Sequence, residues 1–269
     1  MKDRVTADPL LQPYKLKHLT LKNRVMTTSH EPAYPEDGMP KARYRAYHEE
    51  RAKGGVALAM TAGSAAVSRD SPPVFNNILA YRDEVVPWIR ELTDALHEHG
   101  CAAMIQLTHL GRRTNWNKGD WLPSISAGPD REPAHRAFPK MMEDWDIERV
   151  IEDYATAAER MQAGGMDGIE LQAYGHLLDQ FWSPVSNTLD GAWGGSRIWG
   201  GTKSSPLIRI SRNSMVRPTG TKTPTASGST SAPDPAVRAP RLWPGNTAPM
   251  SDSQIEDMLT WIILGVILG

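Results

Sequence analysis

The sequence has 269 residues and a formal net charge of −1, with 23% charged and 40% hydrophobic residues. This length fits one barrel of alternating strands and helices or two smaller domains, and the near-neutral charge gives no general attraction to nucleic acid or to a membrane surface. A single cysteine, Cys101, excludes an internal disulfide and favours a reducing, cytoplasmic location.

The first part of the chain alternates short apolar strands with helices. Strands are predicted over residues 24–28, 56–61, 102–107 and 166–171. Helices are predicted over residues 41–53, 85–99 and 147–163, with Asp146 as the cap of the last one. Because strands and helices alternate, we expect the strands to be parallel.

Polar or small residues follow each predicted strand. They are Ser29, His30 and Glu31 after the first, Ala62 after the second, Gln106 at the end of the third, and Tyr174 and His176 after the fourth. In a barrel of parallel strands these positions share one rim, where the reacting groups of such enzymes lie. The plainer interpretations stay open: a solvated loop pair for His30 and Glu31, a simple turn at residues 61–64, and loop anchors for Tyr174 and His176.

The longest motif is DGIELQAYGHLLDQFWSPVSN at residues 167–187. It resembles the fourth strand and following loop of the Old Yellow Enzyme family of FMN-dependent NAD(P)H:flavin oxidoreductases, which includes trimethylamine dehydrogenase. The segments KNR at residues 22–24 and QLTHLGR at residues 106–112 match further motifs of that family in the same order. The resemblance extends over residues 9–196 and implies a partial (β/α)8 TIM barrel of about the first four βα units.

The resemblance also implies a cofactor and site residues. FMN is expected, with NAD(P)H as electron donor and no metal. The flavin contacts carried over are Ser29, His30, Glu31, Ala62 and Gln106. A Gln side chain presents a donor and an acceptor together, which suits the edge of a flavin ring. Glu31 is a departure, because relatives usually carry Thr or Cys there. A carboxylate beside the flavin would disfavour its anionic reduced form, so either the chemistry differs or the alignment shifts by one residue.

Two kinds of substrate remain open at the fourth strand. Ene-reductases of the family bind an electron-withdrawing carbonyl with a His–His or His–Asn pair, whereas here the first of those positions is Gln172. Tyr174 and His176 are closer to the amine-oxidising branch and to relatives that demethylate N-methylated amino acids, since a tertiary amine needs groups that favour its neutral form. The sequence therefore predicts a small-molecule substrate, an N-methylated amine or an activated alkene.

The resemblance stops after Ser196. Residues 1–196 carry 22 Lys and Arg against 27 Asp and Glu, whereas residues 197–269 carry 8 against 4. Residues 197–249 are rich in Pro, Ser, Thr and Arg and predict an irregular or disordered tail. Residues 250–269 weakly resemble a segment of prolipoprotein diacylglyceryl transferases, and their apolar run is shorter than the about 20 residues of a membrane span. We therefore divide the chain at 1–196, 197–249 and 250–269.

A half-barrel has two consequences for function. Its sheet has two open edges, and the family's phosphate site, after strands seven and eight, lies outside the four predicted strands. The sequence thus leaves three alternatives: a flavoenzyme whose site is completed by forming a homo-oligomer, a non-catalytic truncated fragment unable to hold FMN alone, or a membrane-attached protein.

Overall fold

The structure is a computed structural model, which describes residues 8–71, 75–113, 122–132 and 138–194. Both segments predicted after Ser196 lie outside these residues. The strands, in chain order, are β1 (Tyr14–Leu16), β2 (Leu19–Leu21), β3 (Met26–Thr27), β4 (Leu58–Ala66), β5 (Ala102–Thr108), β6 (Ile125–Ser126), β7 (Lys140–Met141) and β8 (Gly168–Leu171). The helices are α1 (Ala42–Lys53), α2 (Val85–His97), α3 (Asp144–Ala163) and α4 (Leu177–Gln180).

A parallel sheet of four strands in the order β3-β4-β5-β8 forms the centre of the molecule. Each consecutive pair is joined through one of the helices α1, α2 or α3, so the predicted alternation is confirmed. Gln106 of β5 lies opposite Glu170 of β8, which places both side chains on the same face of the sheet.

Two apolar clusters lie on opposite faces of this sheet. On the outer face, Ile105 and Ile169 pack with Ile89 and Leu92 of α2 and with Ile151 of α3. On the inner face a smaller cluster contains Leu21, Ala57, Leu58, Met60 and Met104, and Leu16 and Leu19 pack against it. The antiparallel hairpin β1–β2 therefore covers the inner face at one end of the sheet.

Two predicted boundaries differ from the structure by three residues or more. The helix predicted from residue 147 begins three residues earlier, at Asp144. Asp146 is not its cap but a first-turn residue whose carboxylate accepts a hydrogen bond from the Glu143 N–H at 2.9 Å. The second predicted strand, which is β4 of the structure, does not end at Thr61 but continues to Ala66, with a bulge between Thr61 and Ala65. Small residues in this stretch mark a bulge within a strand, which sequence reading takes for a turn.

No helix in the described parts of the chain is long and apolar enough to cross a membrane.

Candidate active site

Ser29, Gln106 and Glu170 meet at the end of the sheet where the parallel strands finish. The Gln106 side-chain amide donates to Ser29 Oγ at 2.8 Å and to Glu170 Oε2 at 3.2 Å. Gln106 is 4% exposed, so these two bonds fix the orientation of its amide. We call Ser29, Gln106 and Glu170 the Gln106 cluster. Because Ser29 follows β3 and Glu170 lies in β8, this cluster links the first and last strands of the sheet.

Both amide hydrogens of Gln106 are used within this cluster. Its Oε1 accepts no hydrogen bond from the described residues and is available to an N–H donor of a ligand. Burial raises the pKa of Glu170, while hydrogen bonds from Ser29 and Gln106 act in the opposite direction. Sequence reasoning missed Glu170, although strand alternation within residues 168–171 would have placed it on the same face as Gln106.

Glu31 and Ala62 form a second group on the same rim. Glu31 lies in the loop after β3, and Ala62 lies in the bulge of β4. Glu31 Oε1 accepts the Ala33 N–H at 2.8 Å, and Oε2 accepts from Asn77 Nδ2 at 3.2 Å. Asn77 also donates to the Gly63 carbonyl at 3.0 Å, which ties Glu31 to the bulge. Burial raises the pKa of Glu31 to about 7, although the hydrogen bonds from Ala33 and Asn77 act against this rise.

The bulge has an uncommon backbone conformation. Ala62 has φ +51° and Ser64 has φ +85°, in the left-handed region that disfavours side chains. The buried Ala62 N–H donates to the Tyr44 hydroxyl at 2.8 Å, and Tyr44 is fully buried in α1. At Gly63 a Cβ would lie 2.7 Å from the Glu31 backbone nitrogen, so a glycine is needed for this close approach.

His30 faces a different space from the two groups above. It lines a cavity of about 360 Å³ together with Thr27 and with Tyr47, His48 and Arg51 of α1. Of the five predicted flavin contacts, the structure thus brings Ser29 to Gln106 and Glu31 to the Ala62 bulge, whereas His30 lines the cavity between β3 and α1. The contacts themselves stay predictions.

Tyr174 and His176 differ in exposure. Tyr174 is 81% exposed, and its backbone carbonyl accepts a hydrogen bond from the Gln172 side chain at 3.1 Å. His176 is half-buried and precedes α4, and its Nδ1 has no hydrogen-bond partner among the described residues. Burial and then the charge of Arg113 lower the pKa of His176 to about 4, which keeps the ring neutral at neutral pH. Their predicted role towards substrate also stays a prediction.

A buried ionic network holds the loops beneath this rim. His109 Nε2 lies 2.9 Å from Asp70 Oδ1, and His109 Nδ1 accepts the Gly111 N–H at 3.0 Å. Arg149 of α3 pairs with Asp70 and also donates to Asp153 at 2.8 Å. Burial alone would raise the pKa of Asp70, but the His109 hydrogen bond and the Arg149 charge hold it well below its usual value. His109 therefore orders the loops.

The sequence model of the NADH:flavin oxidoreductase / NADH oxidase family matches residues 9–198 of this chain. The chain belongs to this family. A probable N-methylproline demethylase of Rhizobium meliloti is 75% identical to this family member over 189 residues, which are 70% of the chain and 28% of that protein. The multifunctional alkene reductase/demethylase OYE of Caballeronia cordobensis is 51% identical over 191 residues, 71% of the chain and 28% of that protein. The chain thus spans less than a third of the length of these curated relatives.

Solved structures agree with the fold. Morphinone reductase in complex with tetrahydroNAD has a TM-score of 0.68 at 19% identity, over 77% of this chain and 60% of that one. The predicted partial TIM barrel is thereby confirmed. The family match and the curated relatives confirm the predicted resemblance to the Old Yellow Enzyme family.

The described residues fit one part of a flavin. The free Oε1 of the buried Gln106 suits a ring N–H, and the glycine at position 63 lets the backbone at Glu31 approach the bulge closely. The four strands do not include those after which the resemblance places the phosphate site. In the described residues, no group of three or more His, Cys, Asp or Glu side chains could hold a metal ion.

Proposed function

We propose that residues 1–196 form the flavin-facing half of an FMN-dependent oxidoreductase that uses NAD(P)H as electron donor or an N-methylated amine as substrate. The observation that carries this proposal is the buried Gln106 amide, fixed by Ser29 and Glu170 with its Oε1 unused. When bound, FMN supplies a two-electron acceptor for hydride chemistry. The chain's own residues orient the ring edge through Gln106 and shape its surroundings through Ala62 and Gly63.

The favoured reaction is oxidative demethylation of a small N-methylated amine, with reduction of an activated alkene as the alternative. Support comes from the relatives, one named as a probable N-methylproline demethylase and one as an alkene reductase/demethylase. The neutral His176 at the rim also favours an amine, because it can face a neutral nitrogen without protonating it. We choose N-methylproline as the probe substrate.

The test is the visible absorption spectrum of the full chain after purification, and again after addition of FMN and removal of the unbound cofactor. We expect an oxidised-flavin band close to one flavin per chain, which Gln106→Leu reduces strongly because it removes the ring-edge acceptor. Gln12→Leu, at a partly exposed side chain in the N-terminal segment that donates to the Asp8 carbonyl, is the control and should retain the band. A colourless wild-type chain would favour the alternative prediction of a non-catalytic fragment unable to hold FMN alone.

We also propose that the chain forms a homo-oligomer through its outer strands, in a reducing cytoplasmic location. Within the described residues, β3 pairs only with β4, and β8 pairs only with β5. Val25 and Met26, beside the β3 edge, are 40% and 41% exposed. A second copy can add its β8 to this edge in parallel, because unpaired strand edges accept further strands. Light scattering should give at least a dimer mass, and Met26→Lys should lower it to the monomer mass.

A further inference from the structure

Glu31 is a half-buried carboxylate that lacks a cationic partner. The buried carboxylates of the described chain, Asp70, Glu132 and Asp146, each have an Arg or Lys nitrogen within 4 Å. In the same residues Glu31 accepts only neutral donors, the Ala33 N–H and the Asn77 amide. A carboxylate taken partly out of water without a counter-charge is destabilised as the anion.

The hydrogen bonds that Glu31 does make fix its position and leave capacity for a ligand. Each carboxylate oxygen accepts one bond, and a carboxylate can accept about four in total. The groups that face it are Asn77 from the segment before α2, the Tyr44 phenol from α1 and the backbone of its own loop. Burial and then the charge of Glu31 raise the pKa of Tyr44, so this phenol stays neutral and supplies no cation.

A cationic group of a ligand can supply the counter-charge that Glu31 lacks. We propose that Glu31 binds the protonated nitrogen of an N-methylated amine substrate and takes up its proton. In this step the N–H bond of the ammonium breaks and an O–H bond forms on the carboxylate, which leaves a neutral amine with its lone pair free. An alkene has no such proton, so the inference selects the amine branch and rests on the function proposed above.

The direction of this transfer agrees with the environment of the carboxyl group. Glu31 has a pKa of about 7, and it holds a proton at neutral pH far better than an ordinary glutamate with a pKa of about 4.3. A base whose pKa lies near the working pH is the most effective in catalysis. Glu31 also lies against Gly63, next to the predicted flavin contact Ala62.

Calorimetric titration of the full chain with N-methylproline, with FMN added and oxygen removed, tests the inference. Heats measured in two buffers of different ionisation enthalpy give the number of protons released on binding. With a pKa of about 7, Glu31 is about 90% protonated at pH 6, so binding should release about 0.9 proton at pH 6 and about 0.1 at pH 8. In Glu31→Gln we expect no proton release and an affinity at least about tenfold lower.

Two matched variants complete the design. Glu36→Gln changes an exposed carboxylate of the same loop and should behave as wild type. Glu31→Asp keeps the charge on a shorter side chain and should keep the proton release at reduced affinity. Absence of binding to wild type, equal binding by Glu31→Gln, or a release that does not change with pH would each overturn the inference.

The flavin band that stays with the chain after unbound FMN is removed separates this outcome from that of the proposed function. A coloured chain whose amine binding is unaffected by Glu31→Gln overturns the inference alone. A colourless chain that still binds the amine with proton release through Glu31 supports the inference and contradicts FMN binding.

Discussion

Replacing Tyr44 by Phe removes one hydroxyl that supports the bulge of β4. The Tyr44 oxygen accepts the Ala62 N–H at 2.8 Å, and both residues are fully buried. Without it the N–H has no partner and no access to water, which costs about 1–3 kcal/mol. Ala62 also has φ +51°, a conformation that costs about 1–2 kcal/mol in a residue with a side chain and depends on this support. We therefore expect Tyr44→Phe to lower the free energy of unfolding by about 2 kcal/mol.

Urea unfolding measures this loss, with Tyr47→Phe on the same helix as the control. The Tyr47 hydroxyl makes no hydrogen bond to the described residues, so its removal should change stability by less than about 0.5 kcal/mol. Hydrogen exchange gives a local readout, since each 1.4 kcal/mol of lost local stability speeds exchange of the Ala62 amide by about tenfold. Equal stability of the two variants, or unchanged protection of Ala62, would refute the reasoning.

Three further predictions concern the same rim. Gly63→Ala should lose about 1–3 kcal/mol in urea unfolding because its Cβ meets the Glu31 backbone nitrogen at 2.7 Å, whereas Gly54→Ala, with nothing closer than 3.3 Å, is the control. Asp70→Asn should lose about 3–5 kcal/mol at pH 7, since it breaks a buried ionic network. The folded-state pKa of Asp70 is lowered, so its ionised carboxylate stabilises the fold at pH values above the unfolded-state pKa of about 3.9. The difference in unfolding free energy between wild type and Asp70→Asn should therefore shrink as the pH falls below about 3.9. A difference that stays constant with pH would contradict this assignment. The folded-state pKa of Glu31 is raised instead, so wild-type stability should fall as the pH rises from 4.5 to about 7, and equal slopes for wild type and Glu31→Gln would count against it.

Sequence reading predicted the elements of this half-barrel but not how long each one is. The alternation of apolar strands and glycine-stopped helices is local and could be predicted residue by residue. The continuation of β4 through Ala62 could not, because it depends on Tyr44, 18 residues away, accepting the Ala62 N–H. The start of α3 was placed late because Asp146 has the residue type of a cap, whereas Glu143 precedes the helix.

The candidate site could be predicted where the family resemblance identified both residues of a contact. Ser29 and Gln106 were both expected at a flavin, and their side chains meet although they are 77 residues apart. Glu170 was missed, since the motif drew attention to the residues after the strand rather than to the inward face within it. The 81% exposure of Tyr174 could not be foreseen, because it depends on how the loop after β8 lies on its neighbours.

Asp167, the residue before β8, fastens elements from three parts of the chain. Its carboxylate accepts hydrogen bonds from the Ala103 N–H and from His97, each at 2.8 Å, and its carbonyl lies 3.1 Å from His18 Nε2 in the β1–β2 hairpin. The last of these contacts spans 149 residues. At about 5–20 residues per second, a ribosome needs about 7–30 s to synthesise that interval. The hairpin is therefore synthesised first, but its contact with Asp167 can form only after the fourth strand of the sheet begins to emerge.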